Sequence, residues 1–188
     1  MILAALRLLE REDGPAIIED FPDDDPRGQP DTAWHPPQIP AAGDDGTVET
    51  LAARLEAEIP LLQAAHSRWL AQRGRTTVGL SGMPMIDCGR YVADWVRGKP
   101  PSSPREGFSA ILMLRFAVDD LKAYYLEAAA AGSGKPSSRQ LGDWLWNDTA
   151  AGAAIVALRA IGLASVDERL KAVLGNFMVP AVRVAMMS

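Results

Sequence analysis

The sequence predicts an all-α protein, a bundle of about five main helices behind an extended N-terminal arm rich in proline and aspartate. Three observations predict this. After residue 46, apolar residues recur at three- and four-residue steps through most of the chain, the period of a helix rather than of a strand. Serine, threonine, glycine and proline punctuate those stretches where helices begin and end. No stretch shows a convincing strand alternation, and no internal repeat is found. The chain divides into residues 1–46, a helix plus arm, and residues 47–188, the helical domain.

Residues 2–10 read as a short helix with Ile2, Leu3, Leu6 and Leu9 on one face. Residues 11–46 hold clustered acids (Asp23, Asp24, Asp25), seven of the fourteen prolines and few large apolar residues. Such a stretch cannot bury enough surface to offset its own chain entropy. Ile17, Ile18, Phe21 and Trp34 are its anchors for lying on the helical body or on a partner; a freely disordered tail is the alternative.

Residues 47–73 carry Val48, Leu51, Leu55, Ile59, Leu62, His66 and Trp69 at helical spacing. Pro60 inside removes one backbone bond, so a kink near Glu56 is expected, and Gly74 ends the helix. Arg75 to Gly82 should be a short extended connector. Met85 to Arg97 is helical, with Cys88, Val92, Trp95 and Val96 facing inward.

The organising elements are two long apolar helices, residues 105–131 and 138–163. The first is expected to start at Ser103, Pro104, Arg105 and Glu106, which supply cap, first-position proline and returning carboxylate. Phe108, Ile111, Leu112, Leu114, Val118, Leu121 and Tyr125 form its apolar stripe. Asp119, Asp120, Lys122 and Glu127 fall largely on the other side. Gly132 to Pro136 breaks the chain. Ser137 and Gln140 then make a capping box for the second helix. Its small run from Thr149 to Ala154 predicts a close helix crossing near Gly152, since a mid-helix glycine otherwise costs roughly 1 kcal/mol. The last helix opens at Ser165, with Glu168 three residues on, and Pro180 kinks or ends it ahead of the apolar tail Val182 to Met187.

A chain of 188 residues can bury one full core, and its net charge of −5 supplies no basic stripe for nucleic acid. No apolar run is long enough to cross a bilayer. The first six residues lack a basic leader, so a cytoplasmic location is expected. The single cysteine excludes an intrachain disulfide. His35 and His66 are the only histidines. A zinc site needs about four ligands, so neither a metal nor another cofactor is expected.

Four places invite chemistry. Cys88 lies near a helix start with Arg90 close by, which favours a reactive thiolate, against the plainer reading of a buried structural cysteine. The run Gly132 to Ser137 resembles a phosphate loop in composition, but proline follows the lysine and no strand precedes it. Arg75 to Gly82 runs into a helix start and could cradle an anion through its amides, or be a plain connector. Asp119, Asp120, Tyr124 and Tyr125, with Trp144, Trp146, Asn147 and Asp148, could line a pocket between the central helices. Acid–base work there requires burial to separate the carboxyl pKa values; the alternative is a solvated acidic face beside a tryptophan-rich core.

Leu6 to Pro26, a leucine-rich helix followed by Gly14, Pro15, the pair Glu19 and Asp20, and Phe21, Pro22, resembles a late segment of the bacterial glycine/sarcosine/betaine or D-proline reductase B-subunit family. Arg73 to Gly82, Asp119 to Ala128 and Ser137 to Trp146 resemble the helical extension of proteobacterial members. The resemblance implies mostly an absence, because the family's redox cysteine or selenocysteine belongs to an α/β portion upstream and nothing here matches it. The expectation is a non-catalytic accessory domain paired with a reductase-like chain or with itself through residues 2–9, the arm, or the tail. The competing expectation is a small-molecule binder or enzyme using Asp119, Asp120, Tyr124 and Trp144, and a third is thiol chemistry at Cys88.

Overall fold

The computed structural model describes residues 2–10, 28–40, 43 and 45–186. Eight helices and no strand occur among the described residues: α1 (Ile2–Leu8), α2 (Val48–Arg73), α3 (Met85–Val96), α4 (Ala110–Ala130), α5 (Ser138–Asp148), α6 (Ala150–Ala164), α7 (Glu168–Phe177) and α8 (Ala181–Met186). The all-α expectation holds.

Helix α4 is the centre, packed on α2, α3, α5 and α7 and touching α6. Its Met113, Leu114, Ala117, Val118, Leu121 and Tyr125 are fully buried. They share one core with Leu55, Ile59 and Leu62 of α2, Ile155 and Leu158 of α6, and Leu174 of α7. Helix α2 runs unbroken through Pro60. Gly74 ends it in the left-handed conformation (φ 65°), its N–H donating to the Leu70 carbonyl at 2.8 Å, the usual glycine role at a helix end.

Three expected boundaries move. Helix α4 begins at Ala110, not near Ser103: Ser109 is the cap, its Oγ accepting from the Leu112 amide at 3.2 Å. Gly107 at φ 78° breaks the chain just before it, and Ser103 closes a local turn with Arg105 instead. The second central helix is two helices, α5 and α6. Thr149 stands extended between them; its Oγ1 donates to the Leu145 carbonyl at 2.7 Å and accepts from the Gly152 amide at 3.1 Å, ending one helix and capping the next. The cap of α7 is Asp167, bonded to the Arg169 and Leu170 amides, rather than Ser165. The Ser137–Gln140 capping box of α5 forms as expected.

The close approach at Gly152 is real but is made with the last turn of α5, where a Cβ would fall on the Leu145 carbonyl oxygen. A second one, at Gly162, brings α6 against Leu174 of α7.

The described part of the arm lies on the body. Trp34 is buried and its indole N–H donates to the Ala129 carbonyl at 3.1 Å. The Asp31 amide donates to Gln140 Oε1 at 2.8 Å, and Gln140 Nε2 returns a bond to the Asp31 carbonyl at 2.9 Å. The other expected anchors, Ile17, Ile18 and Phe21, lie outside the described residues.

Candidate functional site

The polar interior is built on one face of α4, where Asp120, Tyr124 and Glu127 recur at helical spacing and are all buried. Asp120 and Glu127 thus belong to the inner face, contrary to the outward placement expected for them. The loop after α2 lies over this face. Asp120 Oδ1 accepts from the Gly79 and Leu80 amides, both at 2.8 Å. Its Oδ2 accepts from the Ser81 amide at 2.9 Å and the Ser81 hydroxyl at 2.6 Å. Bonds to an ionised carboxylate are the strong kind. The anion cradle anticipated in this loop therefore exists, and the anion is the chain's own.

Two turns on, Glu127 repeats the device. Its Oε1 accepts from the Thr77 amide (2.7 Å) and hydroxyl (2.9 Å), and its Oε2 accepts from the Thr76 hydroxyl at 2.6 Å. His66 Nε2 lies 2.9 Å from the same Oε2. Burial alone would push the Glu127 carboxyl up, but the bonds from Thr76, Thr77 and His66 outweigh it and hold it below its ordinary value.

The His66 ring also packs against Tyr124, ring centres 4.6 Å apart and tilted by 45°, and the Tyr124 hydroxyl donates to the Ile59 carbonyl at 2.9 Å. His66 and Tyr124 line an open groove of about 320 Å³ with Ile59, Pro60, Gln63 and Pro84. Sequence spacing gave His66 no acidic neighbour; the fold brings Glu127 from 61 positions away.

Glu58, not singled out in the sequence, is the third buried carboxylate. Both its oxygens accept from the Ala150 amide, at 2.9 and 2.8 Å, and Oε2 accepts from the Tyr125 hydroxyl at 3.1 Å. It thereby caps α6 from across the core, where the helix dipole favours a negative charge. Burial still raises its pKa above the ordinary carboxylate value, and burial raises that of Tyr125 strongly.

The predicted pocket residues do not converge. Asp119 is on the outer side, bonded to Arg115 at 2.7 Å and Lys122 at 3.1 Å. Asp120 is closed in by the loop. Tyr124 faces the His66 groove, with its hydroxyl pushed up to about 12 by burial. Trp144 is buried against Tyr125, ring centres 6.1 Å apart. Trp146 is half-buried and lines a separate open groove with Arg139, Asp143 and Arg183, while Asn147 accepts from Arg183 at 2.6 Å. Asp148 is exposed.

Cys88 is buried, its thiol pushed up to about 11 by burial. Its sulfur lies 3.2 Å from Ser81 Oγ, while Arg90 points away to Asp87 at 3.5 Å. The helix start and the nearby arginine do not outweigh desolvation. His35 is exposed on the arm. The Gly132–Ser137 loop is closed by Asp31, which accepts from the Lys135 amide at 2.6 Å. Among the described residues no group of three or more His, Cys, Asp or Glu side chains could hold a metal ion, and no helix is long and apolar enough to cross a membrane.

Fold and site together define a helical bundle whose glycine-rich loops close on the chain's own carboxylates. No family model, no curated protein and no solved structure matches the chain.

Proposed function

We propose that the chain is a non-catalytic accessory domain that works by assembling with another protein, a reductase-like chain or a second copy of itself, through α1. The observation that carries this is the set of exposed leucines on and just after α1. Leu3, Leu6 and Leu8 of α1 are 74%, 51% and 38% exposed, and Leu9 just after it is 81% exposed. A short helix so exposed has little reason to persist alone in water, because isolated helices under about 12 residues are marginal. A partner surface that covers the leucines supplies the missing stabilisation.

The interior supports the same reading. Asp120, Glu127 and Glu58 each hold loop amides or a helix start, so their lone pairs are engaged in the fold, and Cys88 is held as the thiol.

The test is a Leu3→Asp, Leu6→Asp double variant of the full chain. Both positions are exposed, so the melting midpoint should stay within a few degrees. In a tagged pull-down from the source cells with light-scattering mass, the wild-type chain is expected as a stoichiometric assembly that the variant loses. A wild-type chain that is strictly monomeric and retains no stoichiometric partner overturns the proposal.

A further inference from the structure

His66 is a largely buried polar side chain whose bonding the fold leaves half finished. The side chain is 12% exposed, and its Nε2 lies 2.9 Å from Glu127 Oε2. The Glu127 carboxyl is held below its ordinary pKa, so at neutral pH it is ionised and only accepts. The shared proton therefore sits on Nε2, and in the neutral ring Nδ1 is the bare nitrogen, an acceptor. Nδ1 makes no hydrogen bond among the described residues and is not sealed from solvent. The opening that His66 lines is the groove of about 320 Å³ between α2, the start of α3 and α4. We infer that this groove binds a small neutral ring molecule carrying one hydroxyl or N–H group, a phenol-like ligand whose donor hydrogen-bonds to His66 Nδ1. The inference does not depend on α1.

The acceptor is built before any ligand arrives. Thr76 and Thr77 fix Glu127, Glu127 fixes the tautomer of His66, and the imidazole packs against Tyr124. A carboxylate behind a histidine sets the ring's orientation as well as its tautomer. A group already held in place costs little further ordering when it is used.

The walls and the charge select the rest of the ligand. Ile59, Pro60, Pro84 and Ile86 line the groove with apolar surface, and Ile86 is 50% exposed until something covers it. Concave apolar surface with a few fixed polar groups is the usual form of a small-molecule site. The volume is about twice the ~150 Å³ of a cavity that takes up benzene, room for one ring and its substituent. No Asp, Glu, Lys or Arg lines the groove among the described residues. A charged ligand would lose water there without gaining a counter-charge, whereas a neutral donor meets the bare nitrogen.

Phenol and anisole, its methyl ether without the donor, test this on the full chain. Nitrogen NMR of the imidazole should show phenol shifting the His66 Nδ1 resonance saturably, with anisole moving it far less. His66→Phe keeps a ring against Tyr124 and leaves Thr76 and Thr77 on Glu127. It should weaken phenol about tenfold and leave anisole almost unchanged, which separates the hydrogen bond from apolar attraction. Ile86→Ser, at the exposed rim, should weaken both probes about threefold. If His66→Phe does not fold, the wild-type Nδ1 shift and Ile86→Ser decide.

Three results would overturn the inference. One is an Nδ1 resonance unmoved up to about 10 mM phenol, ten times a weak millimolar dissociation constant. Equal weakening of phenol and anisole by His66→Phe would mean an apolar hole without a recognised donor. Binding that Ile86→Ser leaves unchanged would lie elsewhere on the chain. None of these outcomes touches the proposed assembly through α1.

Discussion

On the side of α4 that faces the loop after α2, Asp120, Tyr124 and Glu127 are polar yet buried, and each of them is hydrogen-bonded. On the side that faces α7, Ile111 and Leu112 are apolar yet only partly covered. Polarity alone would assign the two sides the other way round. A carboxylate can go inside when several donors meet it at once, because its desolvation is then offset by charge-assisted bonds. An apolar side chain stays out when nothing is built to cover it.

The largest way to break this contrast is Asp120→Ala. It removes the acceptor for three loop amides and a hydroxyl, and is expected to cost about 3–5 kcal/mol. Urea denaturation measures it. A loss under about 1 kcal/mol would mean that the loop is held by something other than the carboxylate.

Glu127 sharpens the contrast through pH. Its folded pKa lies below the unfolded value, so its contribution is full above the unfolded pKa of about 4.3. It is lost as pH falls through the folded pKa. Glu58 is shifted upward and acts in the opposite sense, its folded form taking up a proton first. Glu127→Gln should therefore cost about 2 kcal/mol at pH 7. The difference from wild type should shrink as the pH falls below about 4. Paired urea midpoints between pH 3 and 7 decide it; a difference that does not change with pH would remove the role assigned to the ionised carboxylate.

The smallest effect belongs to the open side. Leu112→Ser or Phe177→Ser should leave the stability of the monomer within about 0.5 kcal/mol, read by thermal melting at low protein concentration. A larger loss would mean that the face is part of the core.

Most of the fold was legible because it rests on local rules. The apolar spacing, the Ser137–Gln140 box and the Gly74 stop all act within a few residues. The break at Thr149 was missed because the alanines and glycine after it read as a continuation of the apolar spacing of Leu141, Trp144 and Leu145, and only the threonine hydroxyl, bonded backward and forward, divides the two. The site was less legible. Asp120, Tyr124 and Glu127 stand at i, i+4 and i+7, a polar stripe in phase with the core, and that spacing was the available signal. The loop partners of Asp120 and Glu127 lie some 40 to 50 positions away, and Tyr124 bonds to Ile59 of α2, 65 positions away, which periodicity does not reach. Glu58 was hidden for the same reason, since its partner is a helix start 92 positions on.

Trp34 and Asp31 give the described part of the arm a consequence of its own. Removing everything ahead of residue 47 would take the indole off the end of α4 and strip Gln140 and the Lys135 amide of their partner. A shortened chain of that kind should melt earlier than the whole one, because the end of α4 and the start of α5 lose the contacts that hold them to the arm.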